Sequence, residues 1–279
     1  MPTKRKKDME IIDQPGTSQA SYMSMEELGR RGYRFAFDTY FNTVVDLLKN
    51  NAGTYVLSTL LCLTISFIAG MLPVIGSFAG LFLTPGFYGG YLLISQKALR
   101  KEDPGVSDLF AGFRGAHYGR SLVTYLLMLL ILAASSVLLV PIILAAGPDF
   151  ELMQRFTEDF RSGIEPDLDI LLGFFESPQV LWLAVIGIIP FIYASICLSL
   201  SLAFVVIYGS TPMEAIRNSF QVVSKSWWWF LAYIWLLGTC AWLGIFALCV
   251  GLLLTYPLPF IGTFVSFDMI MKGTHAQNP

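Results

Sequence analysis

The sequence predicts an all-α fold. We expect a polytopic membrane bundle of about six transmembrane helices, with amphipathic helices at its cytoplasmic interface. Three observations lead to this prediction. Hydrophobic residues make up 55% of the chain and charged residues only 14%, whereas soluble proteins average about a quarter charged. Several apolar runs reach the roughly 20 residues that a helix needs to cross about 30 Å of hydrocarbon. Lys and Arg concentrate in alternate connections between these runs, as expected when they are retained on one side of a membrane.

Six apolar runs qualify as spans of a single transmembrane domain over residues 25–272. The first five contain no Asp, Glu, Lys, Arg or His: residues 53–72, 74–95, 122–146, 180–208 and 227–248. The sixth, residues 251–271, contains Pro257 and Pro259 and follows a very short connection. Because proline removes a main-chain donor from a helix, we expect this span to be short, broken or re-entrant.

The distribution of Lys and Arg predicts the orientation of the spans. Residues 1–52 carry eight of these cations, residues 96–121 five and residues 209–226 two. With six spans and both termini on one side, 16 of the 18 Lys and Arg fall on that side, which is therefore predicted to be cytoplasmic. The opposite loop, residues 147–179, is acidic and is predicted to be extracytoplasmic.

Amphipathic helices are predicted to lie in the membrane interface just ahead of the spans. Thr211 can cap one such helix, with Pro212 at the first helical position and Glu214 completing a capping box. Apolar residues then recur at spacings of three and four, which predicts that one face lies in the headgroup layer. That face comprises Met213, Ile216, Phe220 and Val223.

Two further segments follow the same pattern. Ser24 and Glu27 form a second capping box ahead of one amphipathic helix, and the stretch PGVSDLFAGFRGAHYGRS precedes the third span. The apolar faces are Tyr33, Phe37, Tyr40, Val44 and Leu47 or Leu48 in the first, and Leu109, Phe110 and Phe113 in the second. Residues 1–24 have no apolar core of a signal peptide and are predicted to be a disordered, basic cytoplasmic tail, as are residues 273–279 at the other end.

Two stretches echo each other. In TPGFYGGYLLIS and YPLPFIGTFVSF, Pro85 and Pro257 are each followed five residues later by a glycine, Gly90 or Gly262. Both stretches lie in spans that run toward the cytoplasm. A diverged duplication of a surface helix plus two spans explains this echo, and chance explains it equally well, because Pro and Gly are common in membrane helices.

The order of these stretches resembles a known family. TPGFYGGYLLISQKALRKEDPGVSDLFAGF, then a span, then AFVVIYGSTPMEAIRNSFQVVSKSWWWFLAYIW and a Pro-Gly hairpin are similar to bacterial integral-membrane proteins related to the membrane domain of glycerophosphodiester phosphodiesterases. The resemblance covers roughly residues 30–271. It implies a six-helix protein of the bacterial cytoplasmic membrane and implies no chemistry, because the soluble catalytic barrel of those enzymes has no counterpart in this chain.

The residues needed for catalysis or cofactor binding do not occur together in the sequence. Nucleophile elbows, P-loops and dinucleotide fingerprints are missing, and His117 and His275 lie far from any cluster with metal-ligand spacing. The four cysteines lie in apolar runs, where a thiol behaves as a small hydrophobe. Asp268 is the one acid within a span, and Lys272 four residues later can pair with it. We therefore expect no enzyme, cofactor or metal.

Two sets of residues are predicted to matter for function or packing. Cations near the inner interface can contact anionic lipid, although orientation of the protein also explains their positions: Arg30, Arg31, Arg34, Lys49, Arg114, Arg120, Arg217 and Lys225. Small residues and prolines are expected to let helices approach closely or to break them: Gly76, Gly80, Pro85, Gly90, Pro190, Pro257 and Gly262.

The sequence thus favours a non-catalytic component of the bacterial cytoplasmic membrane that interacts with lipids or with other membrane proteins. A small-solute transporter or channel is the alternative, because the fourth span holds Pro190, Ser195, Ser199 and Ser201 and broken helices can mark solute sites. A role accessory to lipid phosphodiester metabolism is the third reading. The near-neutral charge gives no reason to expect nucleic acid as a partner, and the oligomeric state is open.

Overall fold

The computed structural model describes residues 22–72, 75–137, 178–244 and 248–273. All regular secondary structure in these residues is helical, which confirms the all-α class. The helices are α1 (Met25–Arg31), α2 (Phe37–Asn50), α3 (Ala52–Gly70), α4 (Ile75–Leu99), a 3₁₀ helix (Val106–Phe113), α5 (Gly115–Val137), α6 (Pro178–Cys197), α7 (Ser201–Val206), α8 (Pro212–Val223), a 3₁₀ turn (Ser224–Ser226), α9 (Trp227–Leu243), α10 (Leu248–Thr255) and α11 (Leu258–Lys272). Residues 1–21, 138–177 and 274–279, which include most of the predicted tails and acidic loop and the end of the third span, lie outside the described residues.

Five helical segments of the described chain are long and apolar enough to cross a membrane, so the molecule is a multi-pass membrane bundle. They are Ala52–Gly70, Phe78–Leu99, His117–Val137, Ile188–Val206 and Gly251–Lys272. The predicted fifth span differs, because α9 has 17 residues and at 1.5 Å per residue extends only about 25 Å. Its Trp228, Trp235 and Trp242 side chains are nevertheless about three-quarters exposed, at 75%, 75% and 73%.

The centre of the bundle is formed by α4, α7 and α11. Helix α4 packs against α3, α5, α7 and α11, while α11 also contacts α2 and α9. Tyr91 of α4, Phe204 of α7 and Phe264 of α11 are fully buried. Helices α3 and α5 are peripheral and expose large apolar side chains such as Phe67 and Leu130, as expected of surfaces that face hydrocarbon.

Glycines allow the closest contacts between elements. The 3₁₀ helix lies directly on α4, where a Cβ at Gly90 would overlap the carbonyl oxygen of Leu109. Gly262 is the matching glycine in the second of the two similar Pro-Gly stretches. A Cβ there would overlap a methyl group of Leu237 on α9. Gly76 approaches the end of α3 closely, with the carbonyl oxygen of Ala69 3.0 Å from the Cβ position. Gly80, by contrast, has no described atom within 4 Å of its Cβ position, so the close helix approach predicted there does not occur among the described residues.

The predicted fourth span is interrupted. Helix α6 ends at Cys197 and α7 begins at Ser201, although residues 198–200 contain no proline or glycine. The side chain of Ser219 on α8 bridges the break: its Oγ donates to the carbonyl oxygen of Cys197 at 2.6 Å and accepts from the amide of Leu200 at 3.2 Å. Main-chain groups that leave a helix at membrane depth need such partners, so the break depends on α8. The sixth span is broken at Tyr256 and Pro257, between α10 and α11, in agreement with the expectation for that segment.

Helix α8 buries Ile216 and Val223 of the predicted apolar face, but its buried face also includes Ser219. The buried residues are Ala215, Ile216, Ser219, Val222 and Val223, whereas Met213 is 67% exposed. Helix α8 packs on α5, α6 and α7 instead of resting its apolar face only on lipid. The prediction was right for Ile216 and Val223 and wrong for Met213. It missed Ser219 because periodicity treats serine as a solvent-facing residue, while here its side chain is turned inward to the break.

Replacement of Ser219 by alanine is expected to lower the free energy of unfolding by about 1–3 kcal/mol, because a buried carbonyl and a buried amide lose their partner. Ser201→Ala is the matched control, since the buried hydroxyl of Ser201 has no hydrogen-bond partner among the described residues and its removal should be neutral or slightly stabilising. Detergent unfolding curves of the two variants measure the difference. Equal losses would show that the bridge contributes nothing.

The N-terminal part of the described chain is packed, not free. The amide of Met23 donates to the carbonyl oxygen of Met271 at 2.8 Å, so residues 22–24, predicted to belong to a disordered tail, lie against α11. Ser24 caps α1 by accepting from the amide of Glu27 at 3.2 Å, which confirms that capping contact. The single amphipathic helix predicted beyond it is divided into α1 and α2, because the chain turns at Gly32 with φ +66°, a conformation that favours glycine.

Candidate functional site

All charged side chains of the described residues lie at one end of the bundle, where α3, α5 and α9 begin and α4, α7 and α11 end. We call this the charged end. Its cations come from every surface element: Arg30, Arg31, Arg34, Lys49, Lys97, Arg100, Lys101, Arg114, Arg120, Arg217, Lys225 and Lys272. Acids are interspersed with them, among them Asp38, Asp46, Glu102 and Asp103.

Hydrogen bonds between distant segments join the surface elements of the charged end into one layer. Tyr33 donates its hydroxyl to the carbonyl oxygen of Val222 at 2.6 Å, which ties the α1–α2 connection to α8. Burial raises the pKa of Tyr33 to about 12, so this donor keeps its proton at physiological pH. Arg120 donates to the carbonyl oxygen of Gly209 at 3.4 Å, which links α5 to the α7–α8 connection.

An ion pair fixes the 3₁₀ helix at the charged end. The Lys97 ammonium lies 2.7 Å from one carboxylate oxygen of Asp108, and the other oxygen accepts the amide of Gly105 at 2.9 Å. The amide contact lies at the start of the 3₁₀ helix, and Lys97 lies near the end of α4. The ion pair therefore holds the 3₁₀ helix against α4, at the same contact that Gly90 makes possible.

Asp268 is the one acid inside the spanning helices of the described residues, and only 3% of it is exposed. One carboxylate oxygen lies 2.7 Å from the Lys272 ammonium and the other accepts the Tyr22 hydroxyl at 2.9 Å. Burial, followed by the charge of Asp268, raises the pKa of Tyr22 above its usual value. Ionisable groups in membranes are functional by default, but here both oxygens have donors, which is the arrangement of a structural ion pair.

The eight cations predicted to contact lipid are all exposed at the charged end. Arg31 pairs with Glu27 at 2.7 Å and Arg120 bonds the main chain. The remaining six form no ion pair with any described residue: Arg30, Arg34, Lys49, Arg114, Arg217 and Lys225. Trp228 and Trp229 are exposed at the same end, at the start of α9, where tryptophan marks the headgroup level of a membrane.

The residues predicted to break or pack helices are spread through the bundle. Pro85 and Pro190 lie inside α4 and α6, and Pro257 precedes α11. Of the serines in the fourth span, Ser195 donates to the carbonyl oxygen of Ile192 at 2.9 Å, while the hydroxyls of Ser199 and Ser201 are buried without a hydrogen-bond partner in the described part of the chain.

Sequence reasoning missed two residues that organise these features, Ser219 and Tyr22. Each contacts a segment far away in the chain, so no local pattern identifies it. Among the described residues, no three His, Cys, Asp or Glu side chains come together as a metal site would require. The acids of the segment EPDLD (residues 165–169) lie outside the described residues.

Comparisons with protein-family models, with curated proteins and with solved structures find no match to this chain. The resemblance to the membrane domain of glycerophosphodiester phosphodiesterases therefore stays a prediction. The function has to be inferred from the charges, contacts and cavities of the bundle.

Proposed function

We propose that this chain is a non-catalytic, multi-pass protein of the bacterial cytoplasmic membrane whose charged end binds anionic phospholipid headgroups. The observation that carries the proposal is the set of six exposed cations that form no ion pair with a described residue, at the end of the bundle where Trp228 and Trp229 are also exposed. The charged end would face the cytoplasm, because Lys and Arg are retained there.

The energetics favour lipid as the partner of these cations. Each Lys or Arg near an anionic leaflet gains about 1 kcal/mol, and the acids of the charged end weaken this attraction without removing the cations from the surface. This electrostatic attraction is largely screened beyond one Debye length, which is about 8 Å at physiological ionic strength. Only cations at the headgroup level contribute. Arg217 lies on α8 and Lys225 in the turn that leads into α9, next to the exposed Trp228 and Trp229, so we expect both cations at that level.

The test combines Arg114→Gln, Arg217→Gln and Lys225→Gln in one variant and measures lipid binding by native mass spectrometry of protein in mixed nanodiscs. Wild type is expected to retain phosphatidylglycerol over phosphatidylcholine. The triple variant should lose about tenfold or more of that preference, because up to about 3 kcal/mol of attraction is removed.

Arg31→Gln is the control, since Arg31 is already paired with Glu27 and should change the preference little. The preference of the wild type should also decline as salt is raised. If the triple variant keeps the full preference for phosphatidylglycerol, the cations only orient the protein during insertion and the proposal is wrong.

A further inference from the structure

Two cavities lie between the helices on opposite sides of Tyr88. The first, of about 240 Å³, lies between α3, α4 and the start of α11 and is lined by Cys62, Gly80 and Tyr256 among others. The second, of about 180 Å³, lies between α9, α11 and the α6–α7 break and is lined by Ser199 and Thr263, for example. Tyr88 lines both.

The two cavities follow one another along the axis of the bundle. Tyr88 lies near the middle of α4 (Ile75–Leu99). The first cavity uses α4 from Gly76 to Tyr88, the half that is remote from the charged end. The second uses α9 from Phe230 to Leu237, the half that begins at the charged end. Together they extend into both halves of the membrane.

Tyr88, which lines both cavities, packs against Phe260. Their rings meet edge to face with centroids 5.1 Å apart, and both residues line the first cavity. The Tyr88 hydroxyl donates to the carbonyl oxygen of Ser199 at 3.4 Å, which is long for an O–H···O hydrogen bond. The Thr263 side chain is a second hydrogen-bond partner of this hydroxyl, and Ser199 and Thr263 both line the second cavity. Rotation of the Tyr88 ring therefore has to break both contacts.

Both helix breaks contribute to the lining. Ser199 and Leu200 belong to the break between α6 and α7 and line the second cavity, and Tyr256 belongs to the break between α10 and α11 and lines the first. Non-helical main chain at membrane depth is tolerated where it is buried in protein or lines a cavity, and such breaks mark solute sites in transporters. The Ser199 hydroxyl is buried without a hydrogen-bond partner among the described residues, which leaves a donor for a guest molecule.

The lining defines the chemical class of the guest. Within the described part of the chain, no charged side chain borders either cavity, so ions are disfavoured, while hydroxyl groups of Ser, Thr and Tyr offer hydrogen bonds. The volumes are near the roughly 150 Å³ that holds a benzene-sized molecule and below the roughly 300 Å³ at which sites for drug-sized ligands begin. Nucleotides and whole lipids are too large.

We propose that the two cavities form a path across the bundle for uncharged polar solutes of about the size of glycerol, and that the Tyr88 side chain opens and closes it. This path is independent of the lipid contacts of the charged end. Either can fail without the other.

The test measures glycerol entry into proteoliposomes by stopped-flow light scattering. Wild type is expected to admit glycerol faster than protein-free liposomes. Gly80→Leu should reduce the rate to the protein-free level, because Gly80 lines the first cavity and has open space at its Cβ position, so a larger side chain is expected to narrow the cavity. Tyr88→Ala should raise the rate above wild type, since it removes the side chain that lines both cavities.

Gly238→Leu is the matched control, because Gly238 is also a helical glycine with open space at its Cβ position but borders neither cavity. It should transport like wild type. A wild-type rate equal to that of protein-free liposomes overturns the proposal. Equal rates in Gly80→Leu and Gly238→Leu, whether both high or both low, overturn it as well.

Discussion

Gly90→Ala is expected to lower the free energy of unfolding by about 3 kcal/mol, the upper part of the range for overpacked cores. The added Cβ would overlap the carbonyl oxygen of Leu109 in the 3₁₀ helix. A main-chain atom cannot move aside as a flexible side chain does, so the 3₁₀ helix must separate from α4. The Lys97–Asp108 ion pair, which spans the same contact, would then be strained or broken.

The adjacent Gly89→Ala substitution is the control for this prediction. At Gly89 the Cβ position lies 3.4 Å from its nearest neighbours, which is an ordinary contact, and alanine is favoured over glycine inside a helix by about 1 kcal/mol. Gly89→Ala should therefore be neutral or mildly stabilising. Unfolding of both variants in mixed micelles, followed by far-ultraviolet circular dichroism, measures the contrast. Similar midpoints for the two variants would mean that the 3₁₀ helix does not pack on α4 as described.

Lys272→Met is expected to destabilise the fold by about 2–3 kcal/mol. It leaves the carboxylate of Asp268, which is only 4% exposed, with the Tyr22 hydroxyl as its remaining donor. Removing one partner of a fully buried ion pair lowers the free energy of unfolding by about 3–5 kcal/mol. The expected loss is smaller because the side chain of Lys272 is 31% exposed, so solvent already screens part of the attraction.

Arg31→Met provides a control of the same geometry. The Arg31–Glu27 pair also has an i, i+4 spacing and a 2.7 Å contact, but its side chains are 55% and 36% exposed. Exposed pairs contribute about 0–1 kcal/mol, so Arg31→Met should change stability little. The same unfolding assay compares the two variants. Equal effects would show that burial of Asp268 does not set the strength of its ion pair.

Helix α8 shows how far the sequence predicts local structure. Its capping box is confirmed, with the amide of Thr211 donating to the Glu214 carboxylate at 3.1 Å, and Pro212 begins the helix. These features depend on residues within one turn of each other. The buried face was predicted only in part: Ile216 and Val223 are buried, but Ser219 also faces inward to bond Cys197 and Leu200, and those partners come from a distant part of the chain.

The broken spans show the same limit. The interruption at Pro257 could be predicted because proline lacks the main-chain donor that a helix interior needs. The interruption at residues 198–200 has no local cause. The close contact at Gly90 could be predicted only in part. The glycine is visible in the sequence, but the Leu109 carbonyl that requires a glycine there comes from the 3₁₀ helix.

The sequence by itself determined that the chain prefers hydrocarbon, that its described part is helical and that its cations are segregated from its spans. These properties follow from transfer free energies and helix signals that each residue contributes largely on its own. Only the tertiary structure decided where the fourth span breaks, which face of α8 is buried, that Tyr22 bonds Asp268 and that two cavities meet at Tyr88. Those features depend on hydrogen-bond partners and close contacts between segments distant in the chain, and a local pattern of residues does not specify which distant atoms will meet.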